Sequence, residues 1–269
     1  MPTAWNVLNP GLTGPGMTGE LTAMCAFGSI GFANLASALN QDHAAWETAP
    51  PALAEAIGMT GRDYVQRWLP DLLCAKRVVR AVFGLGVGGV YAAALAERVS
   101  RWQEDLPLVV VFDLEQPTST LLHWRYCNSV DTLSSLLSTE EVVSAKRAGE
   151  DAIRDHRGLR ELAAALHELF RNSGRTAFER AGLGDTRAAE VVDRFGSFLF
   201  YLAAADGINP GQDWSSATMI SSSTPGYGLD ALPVEDHARA GAREIRFETR
   251  HGELLGDEEV RRTVRELLA

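Results

Sequence analysis

The stretch from Val78 to Pro117, "VVRAVFGLGVGGVYAAALAERVSRWQEDLPLVVVFDLEQP", decides how the rest of the chain is read. A mostly apolar run, Val78–Phe83, ends in the glycine-rich hexapeptide Gly84–Gly89. Apolar residues then recur at helical spacing from Gly88 to Arg101, and a second apolar run, Leu108–Phe112, ends at Asp113. The pattern predicts a strand, a tight turn, a helix and a second strand, and such a crossover implies parallel pairing in a sheet covered on both faces. The hexapeptide fits two templates. Gly84, Gly86 and Gly89 match the G-x-G-x-x-G of dinucleotide-binding loops, with Asp113 or Glu115 available to hold a ribose. The same residues match the sharp turn G-x-S-x-G-G that presents a nucleophile at a sheet edge, with Gly86 where the serine should stand.

What surrounds the stretch separates the two. A doubly wound dinucleotide fold should continue with further strand–helix units. Instead, "SVDTLSSLLSTEEVVSAKRAGEDAI", "GLRELAAALHELFRNSG" and "TRAAEVVDRFGSFLFYLAAA" are successive amphipathic helical patterns without a strand between them. β character returns in "SSATMISSST" and "REIRF", and a final helix follows, with Asp257 as its N-cap and Val260, Val264, Leu267 and Leu268 facing inward. Upstream, Ala4–Leu8 reads as a short strand breaking into the loop "NPGLTGPG", "GFANLASALNQ" as a helix, and "GRDYVQRWLPDLLCAKR" as a helix kinked near Pro70. These patterns divide the chain into a strand-bearing core, residues 1–120 and 206–269, and a helical insertion, residues 121–205.

Composition narrows the function. The net charge of -10 excludes the basic footprint that nucleic-acid binding needs, and an acidic protein partner would require a local basic patch such as Arg171, Arg175 and Arg180. No run of about 18 uncharged apolar residues exists, so no membrane span is expected. The first residues lack the basic and apolar regions of a secretory signal. Cys25, Cys74 and Cys127 are far apart and form no metal-binding spacing, and all three fall in apolar helical patterns as packing residues. A cytoplasmic protein without disulfide or metal is the expectation.

In order and spacing, the motifs resemble those of the thioesterase family of polyketide and nonribosomal peptide biosynthesis. In that family an elbow G-Y-S-x-G-G followed by "A..LA..L" precedes an aspartate that closes the next strand in a "D-x-x-x-P"-like turn, here "FDLEQP". A helical lid interrupts the sheet, and a histidine comes late in an "H…LL" turn, here "HGELL". The resemblance covers nearly the whole chain and implies an α/β-hydrolase fold: a mostly parallel sheet with a helical lid. Asp113 and His251 would be the catalytic pair and Gly86 the nucleophile slot, with Asp230 as a rival acid. Backbone amides of Val87 and of Leu12 or Thr13 would form an oxyanion hole. Phe170, Phe178, Phe198 and Tyr201, in the insertion, could line an acyl site, although aromatic residues at helical spacing also serve as plain core.

Without Oγ at position 86 no acyl-enzyme can form there. Three functions remain. His251 could act as a general base for direct acyl transfer or cyclisation of a thioester carried on the phosphopantetheine arm of an acyl or peptidyl carrier protein, with a small-molecule acceptor. The space left by the serine side chain would hold that acceptor, and no other cofactor is expected. The chain could instead be an inactive pseudo-thioesterase that binds a carrier protein or product, or a dinucleotide-dependent oxidoreductase. A hydrolase whose serine has been changed to glycine would show the same sequence.

Overall fold

The computed structural model describes residues 3–11, 19–27, 31–39, 43–208, 214, 216–233 and 243–269. They fall into two compact units: residues 1–50, 61–116 and 208–269 form one, and residues 51–60 and 117–207 the other.

The first unit is built on a seven-stranded sheet. Its strands are β1 (Trp5–Asn9), β2 (Glu20–Cys25), β3 (Ala44–Thr48), β4 (Val78–Leu85), β5 (Leu108–Phe112), β6 (Thr218–Ser221) and β7 (Arg243–Arg246). They lie in the order β1-β3-β2-β4-β5-β6-β7, and every neighbouring pair is parallel except β1 with β3. Parallel strands need cover on both faces, and two helix layers supply it. On one face α1 (Ala33–Ala38) and the C-terminal helix α9 (Glu258–Leu268) bury Leu35, Val260 and Val264 with Met24, Phe83, Phe112 and Ile220 of the sheet. Phe32 closes this core, its ring 5.6 Å from Phe112 and 6.2 Å from Phe83. On the other face α3 (Gly61–Ala75) and α4 (Gly88–Val99) contribute Tyr64, Trp68 and Tyr91, whose rings meet edge to face or tilted. Helix α3 continues past Pro70 to Ala75.

The second unit is helical, with α2 (Leu53–Ala56), α5 (Ser119–Asp131), α6 (Thr139–Asp155), α7 (Leu159–Arg180) and α8 (Asp185–Ala205). Its core is apolar and local: Leu162, Leu166, Phe170 and Phe178 of α7 are buried, as are Val192, Phe195 and Leu199 of α8. Helix starts are chemically specified. Ser138 and Glu141 form a reciprocal capping box at α6, and Thr118 accepts the Leu121 amide at α5. In the first unit, Asp257 does the same for the Glu259 and Val260 amides at α9.

Two of the strands escape the sequence pattern. β2 lies in a run without alternation between Gly19 and Gly28, and β3, AAWET, sets two alanines beside Glu47 and Thr48, so neither carries the pattern of a strand. Two cysteines also depart from expectation: Cys25 is buried but lies on β2, and Cys74 is exposed on α3, while Cys127 is half-buried on α5.

Candidate functional site

The glycine hexapeptide turns β4 into α4 at the carboxyl edge of the sheet. Gly86 sits at φ +56°, the left-handed region, and its amide donates to the Phe112 carbonyl at 3.0 Å, fastening the turn to the end of β5. The flanking glycines are required by contact. A Cβ on Gly84 would lie 2.5 Å from the Gly89 Cα, and one on Gly89 would lie 2.4 Å from Cγ1 of Val111. These residues bring helix and strand together against themselves and against β5. In a dinucleotide fold the glycine strand would be the first of its sheet; here β4 lies between β5 and the preceding strand β2, so the dinucleotide topology is not the one adopted.

Asp113 follows β5 and is fully buried, with φ +43°. Its own amide donates to the Ile220 carbonyl at 2.9 Å, and its Oδ1 accepts the Ser222 amide at 2.7 Å, so the residue is tied to the end of β6 by backbone and side chain together. The other oxygen, Oδ2, lies 2.7 Å from Nδ1 of His251. With the carboxylate as acceptor, Nδ1 carries the proton and Nε2 keeps its lone pair.

His251 opens a 3₁₀ turn, His251–Gly256, and its side chain is 29% exposed. Three contacts orient it. Its amide donates to Oγ1 of Thr224 at 3.0 Å, its ring is held by Asp113, and Tyr227 stacks on the ring at 4.2 Å with planes 10° apart. The loops that bear these groups are themselves linked, since the Ser223 amide and hydroxyl both reach the Thr249 carbonyl and the Gly228 amide reaches that of Leu114. Asp230, the rival acid, is engaged elsewhere: its carboxylate pairs with Arg246 at 2.8 Å.

The nucleophile slot is not an open hollow. Oε2 of Glu115 lies 2.6 Å from the position a Cβ on Gly86 would take, and Glu115 is 8% exposed. The sequence offered Glu115 only as a ribose ligand, and nothing in its spacing marks it as the occupant of this slot. The contact arises because Asp113, in a left-handed conformation, redirects the chain after β5. Tyr227 was equally hidden, in a loop, "PGYG", that reads as a plain turn.

Of the two expected oxyanion donors, Val87 is the N-cap residue of α4, where helix-end amides lack intrahelical partners. Leu12 and Thr13 lie outside the described residues. At the end of β1, Asn9 pairs with Ala45, near the start of β3, and a Cβ on Gly11 would lie 2.6 Å from the Ala44 nitrogen. The strand beside the elbow is β2, whose Cys25 pairs with Gly84. Ala26 is tied there by its amide and carbonyl to Oγ1 of Thr48, and the Phe32 amide by Oε1 of Glu47 at 2.9 Å. Burial pushes the Glu47 carboxyl above its ordinary range, against the lowering effect of that amide.

In the helical unit Phe170, Phe178 and Tyr201 are buried in the local core, and the Phe170 ring lies 4.4 Å from that of Phe195. Phe198 is half-buried, with the Arg125 guanidinium 5.8 Å from its ring. Of the three arginines considered as a basic patch, Arg171 pairs with Glu168 and Arg180 with Glu141; hydrogen bonding to Arg180 holds the Glu141 carboxyl down to about 2. Among the described residues no group of three His, Cys, Asp or Glu could hold a metal ion, and no helix is long and apolar enough to cross a membrane.

The sheet order, the glycine elbow and the late histidine turn define the α/β-hydrolase fold, here with a helical unit drawn mainly from the segment between β5 and β6 and joined by α2 from between β3 and β4. No protein-family profile matches the sequence, and no curated protein matches it. Among solved structures it is similar to the type II thioesterase BorB from the borrelidin biosynthetic cluster, at 17% identity over 98% of this chain and 96% of that one, with a TM-score of 0.54. The NocB thioesterase domain, solved as a covalent complex with a fluorophosphonate nocardicin G analog, matches at 14% identity over 98% and 99% of the two chains, also with a TM-score of 0.54. A third match is holo-AB3403, a four-domain nonribosomal peptide synthetase bound to AMP and glycine, at 11% identity and a TM-score of 0.60. This chain is covered over 99% of its length there and spans 20% of that protein.

Proposed function

We propose that this protein is a thioesterase-like acyltransferase or cyclase of natural-product biosynthesis. Its substrate is an acyl thioester presented on the pantetheine arm of a carrier protein. His251, held by Asp113, takes a proton from the acceptor through Nε2. The acceptor attacks the thioester carbonyl directly, and the thiol leaves with the proton returned from the imidazole. The backbone amide of Val87 is the candidate oxyanion donor for the developing charge. No acyl-enzyme on residue 86 is involved, because Gly86 has no Oγ.

One observation carries this reading: a buried aspartate 2.7 Å from the ring nitrogen of a histidine that is partly open to solvent and stacked on Tyr227, at the edge where the elbow lies. The likeness to biosynthetic thioesterases supports the thioester as the substrate class. The test is turnover of an acyl-pantetheine thioester with candidate acceptors. His251→Ala should lower it by a factor of about 10²–10⁴, the usual worth of a positioned general base; unchanged turnover would exclude the pair as the catalytic machinery.

A second reading, a binding module for a carrier protein or product, is favoured by the filled slot at Gly86. Under that reading wild-type protein turns over no thioester, and His251→Ala retains full binding of the carrier protein.

A further inference from the structure

We propose that Glu244, on the outermost strand β7, is a positioning residue for the candidate base, acting through Tyr227. The inference deepens the acyl-transfer reading and rests on it for any effect on turnover. A glutamate on an edge strand ordinarily faces solvent and guards against strand addition. This one is turned inward, with its side chain 18% exposed. Its Oε1 accepts the hydroxyl of Ser221, at the end of β6, at 2.6 Å, and the Leu229 amide at 3.1 Å. Leu229 belongs to the 3₁₀ turn Gly228–Ala231, which follows Tyr227 directly. Gly228 is buried at φ +68°, and a Cβ there would collide with both Ser221 Oγ and Glu244 Oε1, so the backbone rests on that hydrogen-bonded pair. Arg246 straps the far end of the same turn, pairing with Asp230 at 2.8 Å and with Glu244 at 3.3 Å. On the other side the Gly228 amide reaches the Leu114 carbonyl at 3.2 Å. Tyr227 is thus delivered to the imidazole by a loop fixed beside β5, β6 and β7 at once.

What the loop supplies is the second half of the ring's orientation. The Asp113 contact at Nδ1 holds one ring atom and leaves the imidazole free to rock about that point. A second ring 4.2 Å away, with planes 10° apart, removes the rocking. With Nδ1 held and the plane fixed, Nε2 has a single direction, and a base is useful only where the proton it takes lies on a group within about 3 Å of it. Glu244 touches neither the imidazole nor a substrate. Its loss would leave the Ser221 hydroxyl, on a fully buried residue, and the Leu229 amide without their acceptor, and the turn would lift away from β7 with Tyr227 on it. The role needs an acceptor oxygen and not a charge, so glutamine should serve and leucine should not.

The test reads the ring pair first and turnover second, on the intact protein. A proton above an aromatic face resonates upfield, so the Hε1 and Hδ2 signals of His251, assigned by their disappearance in His251→Gln, report the stack. Spectra are compared at about pH 9, above the ordinary titration range of histidine. In wild-type protein both signals should lie upfield of their positions in free histidine. Tyr227→Leu and Glu244→Leu should return them toward those positions, whereas Tyr227→Phe and Glu244→Gln should not. For consumption of an acyl-N-acetylcysteamine thioester, Glu244→Leu should lower kcat by about ten- to hundredfold with KM unchanged, the scale of a small misplacement of a catalytic group. Glu244→Gln should restore most of that loss. Because Glu244 acts through Tyr227, the double variant Glu244→Leu/Tyr227→Leu should be no slower than Tyr227→Leu alone. Unshifted His251 signals in the wild type, which needs no variant to fold, overturn the proposal, as do signals unmoved by Glu244→Leu or losses in kcat that multiply in the double variant. A wild type that shows the stack and its Glu244 dependence but consumes no thioester would sink the acyl-transfer reading alone. Thioester consumption with no Glu244 dependence in ring or rate would sink this inference alone.

Discussion

Gly86 joins two constraints that are usually separate. Its φ of +56° disfavours any side chain, and the space a side chain would enter already holds Oε2 of Glu115. Gly86→Ser should therefore do less than the elbow template suggests. We expect it to destabilise the protein by about 1–2 kcal/mol in chemical denaturation, from the left-handed backbone alone, and to hydrolyse a simple ester poorly. The double variant Gly86→Ser/Glu115→Ala clears the slot and should hydrolyse the same ester faster than the single one. If the single variant is as active as the double, Glu115 does not obstruct position 86. At this scale the sequence marked Asp113, His251 and Gly86 by order and spacing, and the structure brings the first two into contact. It could not mark Glu115 or Tyr227, because their placement depends on where two loops turn, and a loop's direction is set by contacts distant in sequence.

Among the elements, the strand–turn–helix–strand unit was legible because its periodicities change sharply at the glycines. Three of the four long helices of the inserted unit, α6, α7 and α8, were legible for the same reason, since each combines an apolar stripe with polar stops, whereas α5 was not read as a helix of its own. What was lost was the neighbour of the elbow strand. With β2 and β3 unrecognised, the loop after β1 was the one the sequence offered as an oxyanion donor. A buried run "ELTAMCAF" bounded by Gly19 and Gly28 was the available signal. Past that run, Glu47 of β3 accepts the Phe32 amide while burial raises its carboxyl. A carboxyl raised in the fold favours folding at low pH: its contribution is complete below the ordinary carboxylate range, about 4.3, and declines as pH rises through the folded value. Glu47→Gln keeps an acceptor for the Phe32 amide and removes the buried charge. Denaturant midpoints should show the variant gaining on wild type between pH 4 and pH 8, and a gap that stays constant across that range would contradict the assignment.

For the molecule as a whole, the net charge of -10 bears on how a carrier protein could approach. Arg171 and Arg180 are neutralised by Glu168 and Glu141 within their own unit, which leaves little of the expected basic patch. Toward an acidic carrier protein, association should therefore strengthen as salt is added up to about 0.15 M, because screening within a Debye length of about 8 Å removes repulsion between like-charged surfaces. Calorimetry at graded ionic strength measures this directly; weakening with salt would mean that a local cationic surface guides the encounter.

Asp113 has a second employment. By capping the Ser222 amide it fastens the end of β5 to the end of β6, and that service is independent of any reaction. A descendant that had abandoned chemistry would still suffer from its loss, so the aspartate's survival testifies to architecture as much as to turnover. The ring of His251 is held by Asp113 and stacked on Tyr227, contacts within the site rather than between strand ends, so its replacement leaves β5 and β6 fastened. His251, rather than its partner, is thus the cleaner witness to whether the protein turns over a substrate at all.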